Sequence, residues 1–193
     1  GLKLRAGLRV ALLGAPNAGK SSLLNAVAGR KGLARTSRTP GRTRLLNVFK
    51  LRAQRGAETL DLRLVDLPGY GFAAAGKSVR DSFAPMIDGY LRGRKSLRAL
   101  VLLLDARRGP KDTDLGLLEF CAAIRLPCLV CATKCDKLGK SERGLLAKRW
   151  AKELGCEPSD IVLTSAHSGL GFDEGPRGFA AELARVASGP ERS

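Results

Sequence analysis

Arg9-Val-Ala-Leu-Leu-Gly14-Ala-Pro-Asn-Ala-Gly-Lys-Ser21 is the stretch that decides the fold. Arg9 to Leu13 reads as a short buried strand and Lys20 to Ala28 as a helix, with Gly29 placed to cap it. Between them, Gly14 to Ser21 fits G-x-x-x-x-G-K-[ST] in the strand–turn–helix context that the pattern requires. The glycines let the backbone turn tightly enough for successive N–H groups to surround a phosphate, and the helix N-terminus adds its positive end. Gly14, Ala15, Pro16, Asn17, Ala18, Gly19, Lys20, Ser21 and Ser22 are therefore expected to line a nucleotide site. Lys20 would reach the β- and γ-phosphates and take a catalytic part, and the Ser21 hydroxyl would ligate Mg2+.

Outward from this stretch, apolar runs alternate with amphipathic ones. Arg30 to Thr43 is basic and punctuated by Pro and Gly, and reads as a long loop. Arg44 to Leu51 and Leu60 to Asp66 read as two strands joined by a turn at Gln54-Arg-Gly-Ala57. A helix follows from about Val79 to Leu91, then a strand over Ala99 to Asp105 and a helix over Asp112 to Ile124, whose first acids suit its dipole. Strand Cys128 to Thr133, a helix near Glu142 to Leu154, strand Ile161 to Thr164 and a helix near Phe172 to Ala187 complete the series. Trp150 is expected to pack the fourth helix onto the sheet. Such alternation predicts an α/β fold of the Ras-like G-domain type: a mostly parallel six-stranded sheet, one antiparallel edge strand, and helices on both faces. No internal repeat or linker interrupts it, so residues 1–193 are read as one domain with its core at about 7–188.

Three further motifs fall at predicted strand ends, where open α/β sheets bind ligands. Asp66-Leu-Pro-Gly69 puts Asp66 where it can hold Mg2+ through a water, and the Gly69 N–H where it meets the γ-phosphate, a catalytic position. Thr133-Lys-Cys-Asp136 fits [NT]-K-x-D, a guanine-reading pattern, and Ser165-Ala166 stands where a backbone N–H would meet guanine O6. The Asp136 carboxylate would accept from guanine N1–H and the exocyclic amine together, while the Lys134 stem covers the ring. Adenine has no such donors, and a site built to pair a polar group rejects its absence by about 10⁴ or more. GTP hydrolysed to GDP is thus the expected reaction, and an ATPase is the poor alternative. Tyr70 follows Gly69 where many GTPases carry a glutamine that orients water, so intrinsic hydrolysis is expected to be slow. Asn17 offers a side-chain oxygen that would hold a monovalent cation, K+, near the phosphates.

Composition bounds the rest. Lys and Arg number 34 against 18 Asp and Glu, and the excess is local. No acid precedes Glu58, whereas the first 57 residues hold 13 basic side chains and the other 136 hold 21 basic and 18 acidic ones. A one-sided excess of this kind points to a polyanionic partner. Arg30, Lys31, Arg35, Arg38, Arg42 and Arg44 lie in or beside the long loop and are the candidate RNA contacts. Cys128 and Cys131 make a C-x-x-C, but residues three apart on a strand point to opposite faces and cannot share a metal. Free thiols and apolar runs too short to span a bilayer lead to a cytoplasmic protein with no membrane partner, expected to be a monomer. His167 is read as a surface-loop residue.

The string Leu33-Ala-Arg-Thr-Ser-Arg-Thr-Pro-Gly-Arg-Thr-Arg-Leu-Leu-Asn47 and the string Asp66-Leu-Pro-Gly-Tyr-Gly-Phe72 resemble the EngB (YihA/YsxC) family of ribosome-biogenesis GTP-binding proteins. The resemblance runs on through Asp105-Ala-Arg-Arg-Gly-Pro-Lys-Asp112 and Thr133-Lys-Cys-Asp-Lys-Leu138. It implies a GTPase that assists assembly of the large ribosomal subunit, with rRNA within reach. It also implies that Thr43 is the switch-loop Mg2+ ligand with a catalytic part, Thr39 being second. The family usually has Arg-Ser where this chain has Ala15-Pro16, a departure that touches the phosphate side and leaves Lys20 and Ser21 intact. The rival function is a nucleotide-gated RNA-binding module in which hydrolysis is incidental, or another small translation-linked GTPase.

Overall fold

The computed structural model describes residues 8–28, 47–55, 58–67, 85–172 and 178–189. Six strands form one sheet: β1 (Leu8–Gly14), β2 (Asn47–Arg55), β3 (Glu58–Asp66), β4 (Leu97–Asp105), β5 (Cys128–Thr133) and β6 (Ile161–Leu163). The described helices are α1 (Lys20–Val27), α2 (Pro85–Gly93), α3 (Asp112–Ala123), α4 (Lys140–Leu154) and α5 (Phe179–Ala187). Strand order is β2-β3-β1-β4-β5-β6, parallel throughout except for the β2–β3 pair, which puts β2 at an edge as expected.

Burial explains the order. All nine residues of β4 are buried, as a central parallel strand covered on both faces must be. In β3, Leu62 and Leu64 are buried while Asp61 and Arg63 are exposed, so one face meets a helix layer and part of the other meets water. Two apolar clusters result. One joins Ala11, Leu13 and Val65 to α2, α3 and α4; the other joins Val10, Leu12, Leu62 and Leu64 to α1 and α5. Cys128 packs on the first cluster and Cys131 lies in the second, so the two thiols do face opposite ways. All five cysteines are free, and burial pushes Cys131 up to about 12. Trp150 is fully buried in the first cluster, beside the turn at Gly109.

Several boundaries differ from the sequence reading, β4 starting at Leu97 rather than Ala99 among them. β2 and β3 stay paired through Gln54–Thr59 and Arg55–Glu58, so Gln54 and Arg55 belong to the ladder and not to the turn. The fourth helix starts at Lys140, two residues earlier than Glu142. The last helix starts at Phe179, not near Phe172. Gly178 is extended (φ −72°, ψ 161°) and caps the helix at Phe179, while Gly171 is left-handed (φ +77°) and a Cβ there would stand 2.1 Å from the Leu163 carbonyl oxygen. The Phe179 N–H returns to the Gly171 carbonyl at 2.7 Å. Gly29, residues 30–46, 68–84 and 173–177 lie outside the described residues. Among those described, no helix is long and apolar enough to cross a membrane.

Candidate nucleotide-binding site

The C-terminal ends of β1, β3, β5 and β6 deliver the predicted residues to one edge of the sheet. β1 lies between β3 and β4, so the chain leaves it at the point where the strand order reverses. Gly14 ends β1 so close to β4 that a Cβ would stand 2.7 Å from the Leu103 carbonyl oxygen. The loop then turns through two left-handed residues, Asn17 (φ 62°) and Gly19 (φ 98°), before α1 begins at Lys20. Asn tolerates that conformation better than most side chains, and Gly adopts it freely. Ala15, Pro16 and Ala18 complete the loop, and Ser21 and Ser22 sit in the first turn of α1.

On the phosphate side, Lys20 Nζ makes only a long contact of 3.4 Å to the Gly14 carbonyl oxygen. Burial holds its pKa below the ordinary lysine value, with Asp66 opposing that shift in part. Burial likewise raises Asp66, and Lys20 opposes it in part. Asp66 Oδ1 is buried with no hydrogen-bond partner among the described residues. An orphaned carboxylate oxygen beside a buried ammonium is costly unless a ligand completes it. The oxygen-only donor set of Asp66 and Ser21 suits Mg2+, which usually takes one or two protein ligands and fills its shell with phosphate and water.

The base side is already bonded. The Thr133 hydroxyl donates to the Ala18 carbonyl at 2.6 Å, and Lys134 Nζ donates to the Asn17 carbonyl at 2.7 Å and to Asp105 Oδ2 at 2.8 Å. Both residues therefore tie the end of β5 to the loop after β1. Asp105 also accepts from the Arg107 side chain at 2.9 and 2.7 Å and from its backbone N–H at 3.1 Å. Burial opposes its ionisation, yet these bonds together hold its carboxyl well below the ordinary range. Asp136 accepts from the Ser165 hydroxyl at 2.5 Å and faces Lys137 Nζ at 3.4 Å; the Ser165 bond is the main cause of its lowered pKa. The Ser165 hydroxyl oxygen in turn accepts from the N–H groups of His167 and Ser168, at 3.3 and 3.2 Å. The Ser165 N–H is taken by the Leu170 carbonyl at 3.0 Å, whereas the Ala166 N–H has no partner among the described residues. Of the two, Ala166 is thus the donor left to face a base. Thr133, Lys134, Asp136, Ser165 and Ala166 share one cavity of about 250 Å³ with Gly19 and Ser22. His167 is exposed at its mouth, as read.

Thr43, Thr39, Gly69, Tyr70 and the arginines and lysine of residues 30–44 lie outside the described residues. Asp105, Arg107 and the hydroxyl role of Ser165 escaped the sequence reading. The signal for Asp105 was present, as an acid closing an otherwise unbroken apolar strand. Ser165 could be placed only as a backbone donor, because its contact to Asp136 spans 29 residues.

Sheet order and strand-end site together define a P-loop nucleotide-binding domain of the Ras-like class. Similar folds include Aquifex aeolicus Era bound to GDP and AlF4⁻ (TM-score 0.71, 24% identity, 96% of this chain and 58% of that one). A crystal structure of a probable GTP-binding protein EngB superposes with a TM-score of 0.65 at 19% identity, over 93% of this chain and 98% of that one. The family model of 50S ribosome-binding GTPases matches residues 9–134. The probable GTP-binding protein EngB of Geobacter sulfurreducens is 43% identical over 86% of this chain and 77% of its own length. That of Desulfovibrio desulfuricans is 45% identical over 93% and 83%. The chain belongs to the EngB family of GTP-binding proteins, P-loop GTPases.

Proposed function

We propose that this chain is a Mg2+-dependent, slowly hydrolysing GTP switch that binds ribosomal particles during large-subunit assembly. The observation that carries the nucleotide part is the asymmetry of the cleft. A carboxylate, Asp136, is held ionised and oriented at one end, and at the other a buried Asp66 oxygen without a hydrogen-bond partner among the described residues stands near a partly buried, weakly bonded Lys20. Asp136 and the Ala166 N–H suit the donor and acceptor edge of guanine. Lys20 and the amides of the loop Gly14–Gly19 suit the phosphates. Ser21 and Asp66 would hold Mg2+, which neutralises charge on the phosphate oxygens when bound. Thr43 and Gly69 are proposed to close over the γ-phosphate, and Asn17 to hold K+. Era, a similar protein at 26% identity over 87% of this chain, has been crystallised with MgGDPNP and nucleotides 1506–1542 of 16S ribosomal RNA. That is in keeping with an RNA-bearing partner here.

The RNA contact is assigned to Arg30, Lys31, Arg35, Arg38, Arg42 and Arg44, whose position would follow the γ-phosphate. The domain is proposed to act as one unit, as a monomer, in the reducing cytoplasm that five free thiols suit. Co-sedimentation with large ribosomal subunits, in GDP and in a non-hydrolysable GTP analogue, tests the switch. Tighter binding of the analogue form is expected, with turnover rising when particles are added. Equal binding in both forms with no change in turnover would leave a GTPase without a ribosomal switch. For single-stranded RNA each contacted phosphate adds about −0.7 to the slope of log K against log salt, so four to six loop contacts give roughly −3 to −4.

A further inference from the structure

A second basic surface lies away from the nucleotide cleft, on the sheet itself. Lys50 of β2 pairs with Arg63 of β3, and Arg63 pairs with Arg9 of β1. Paired residues share a face, so three cationic side chains stand in one row across three adjacent strands. The next rows confirm the face: Ala11 and Val65 are paired and belong to the same apolar cluster, under α2. Toward the edge that cluster ends, since Lys50 and Arg63 are exposed and Val48 is 47% exposed. The Arg9 N–H donates to the Ser96 carbonyl at 2.8 Å, which brings exposed Arg94 and Lys95 alongside the end of the row.

Like charges directly opposite one another on a sheet destabilise it. Among the described residues none of Lys50, Arg63 and Arg9 has an ion-pair partner. The acids nearby serve elsewhere: Asp61 stands one row further along, opposite Arg52, and Asp88 bonds Arg92 at 3.0 Å. Lysine on an edge strand needs no partner, because its charge deters strand pairing. That reason does not reach Arg63 or Arg9, which stand on strands already paired on both sides. Strands are about 4.8 Å apart, so the row spans about 10 Å between the outer Cα atoms, and its long side chains suit a run of evenly spaced anions.

We infer that the Lys50–Arg63–Arg9 row is a phosphate-backbone contact for RNA, a second anchor that holds the ribosomal particle whatever nucleotide is bound. This rests on the ribosomal reading above but differs from its loop contact in one respect. The row is built on paired strands and keeps its shape, whereas the loop contact depends on the γ-phosphate. RNA is favoured over an anionic membrane because the row is a single line of evenly spaced cations, and among the described residues no helix is long and apolar enough to cross a bilayer.

The test compares wild type with Lys50→Gln/Arg63→Gln/Arg9→Gln for binding to purified large ribosomal subunits across a salt series. GDP and a non-hydrolysable GTP analogue are used in parallel. Loss of three contacts should flatten the salt slope by about 2 and weaken binding about 100-fold at 0.1 M salt, equally in both nucleotide forms. Basal GTP hydrolysis should hold and the melting temperature should not fall, because removing like charges relieves repulsion and breaks no ion pair. If the triple variant is poorly folded, Arg63→Gln alone should change the slope by about 0.7. An unchanged slope while wild type binds overturns the row and leaves the switch reading intact, as does a loss seen only in the GTP form. Wild type that binds no particle in either form overturns both. Row-dependent binding to vesicles of anionic phospholipid, without binding to subunits, replaces RNA by membrane and overturns the inference.

Discussion

The two ends of the cleft differ in what the protein supplies for itself. At the base end every charged group has protein partners: Asp136 has Ser165, Lys134 has Asn17 and Asp105, and Asp105 has Arg107. At the phosphate end Asp66 is buried, Lys20 is partly buried and both are poorly bonded, and burial shifts both toward their neutral forms. On the proposed reading, the protein itself orders the base pocket, and the nucleotide completes the phosphate pocket. Recognition is prepaid at one end and stability deferred at the other.

The largest expected effect breaks the preformed end. Asp136→Asn should weaken GTP by about 10⁴-fold and favour xanthine nucleotide, whose ring presents a carbonyl to the amide. Titration of both nucleotides checks this, and wild-type GTP affinity in the variant would move the base site elsewhere. Next comes the unfinished end. Lys20→Ala should cost roughly 10²-fold in GTP affinity, as a lost bond to a charged group does, without lowering the stability of the nucleotide-free protein. Asp66→Asn should go further and raise that melting temperature by about 2–4 °C, since a buried charge without a partner is removed. A fall in calorimetry would show that Asp66 has a structural partner. Ser165→Ala sharpens the comparison at the base end, where freeing Asp136 should cost about tenfold in GTP affinity with little loss in xanthine-nucleotide discrimination.

The smallest effect is a pH dependence. Asp105 ionises more readily folded than unfolded, so its contribution to stability is complete above the ordinary carboxylate range and is lost as pH falls below it. Asp105→Asn should therefore melt below wild type at pH 7, with the gap narrowing progressively as pH falls through and below the ordinary carboxylate range, and with GTP affinity reduced only a few-fold as Lys134 loosens. Parallel melting curves that do not converge would assign the loss to packing.

The order of elements and the edge strand were legible because they depend on local pattern. β4 reads as an unbroken apolar run, β3 as an alternation, and Gly14 to Ser21 as a turn that few sequences can make. The ends were less legible where a distant atom decides them. The last helix starts at Phe179, after an extended Gly178, and the Phe179 N–H reaches back to the Gly171 carbonyl, a contact that residue pattern alone does not reveal. The site divides in the same way. Lys20, Ser21, Asp66, Lys134 and Asp136 were visible as residue types at fixed spacings, whereas the bonds of Lys134 to Asn17 and Thr133 to Ala18 span 117 and 115 residues. The row of Lys50, Arg63 and Arg9 joins three strands, whereas counting charge along the chain put Arg9 and Lys50 in the basic first 57 residues and Arg63 in the nearly balanced remainder.

The single tryptophan has a practical consequence. Trp150 is fully enclosed on α4, and its indole faces the Gly109 turn just past Asp105 and Arg107. The protein thus carries one intrinsic fluorophore, lodged in the apolar cluster beside the Gly109 turn. Its emission should be blue-shifted in the native state and move red on unfolding. It should register a disturbance at Asp105, giving the turn that follows β4 an optical signature without any label.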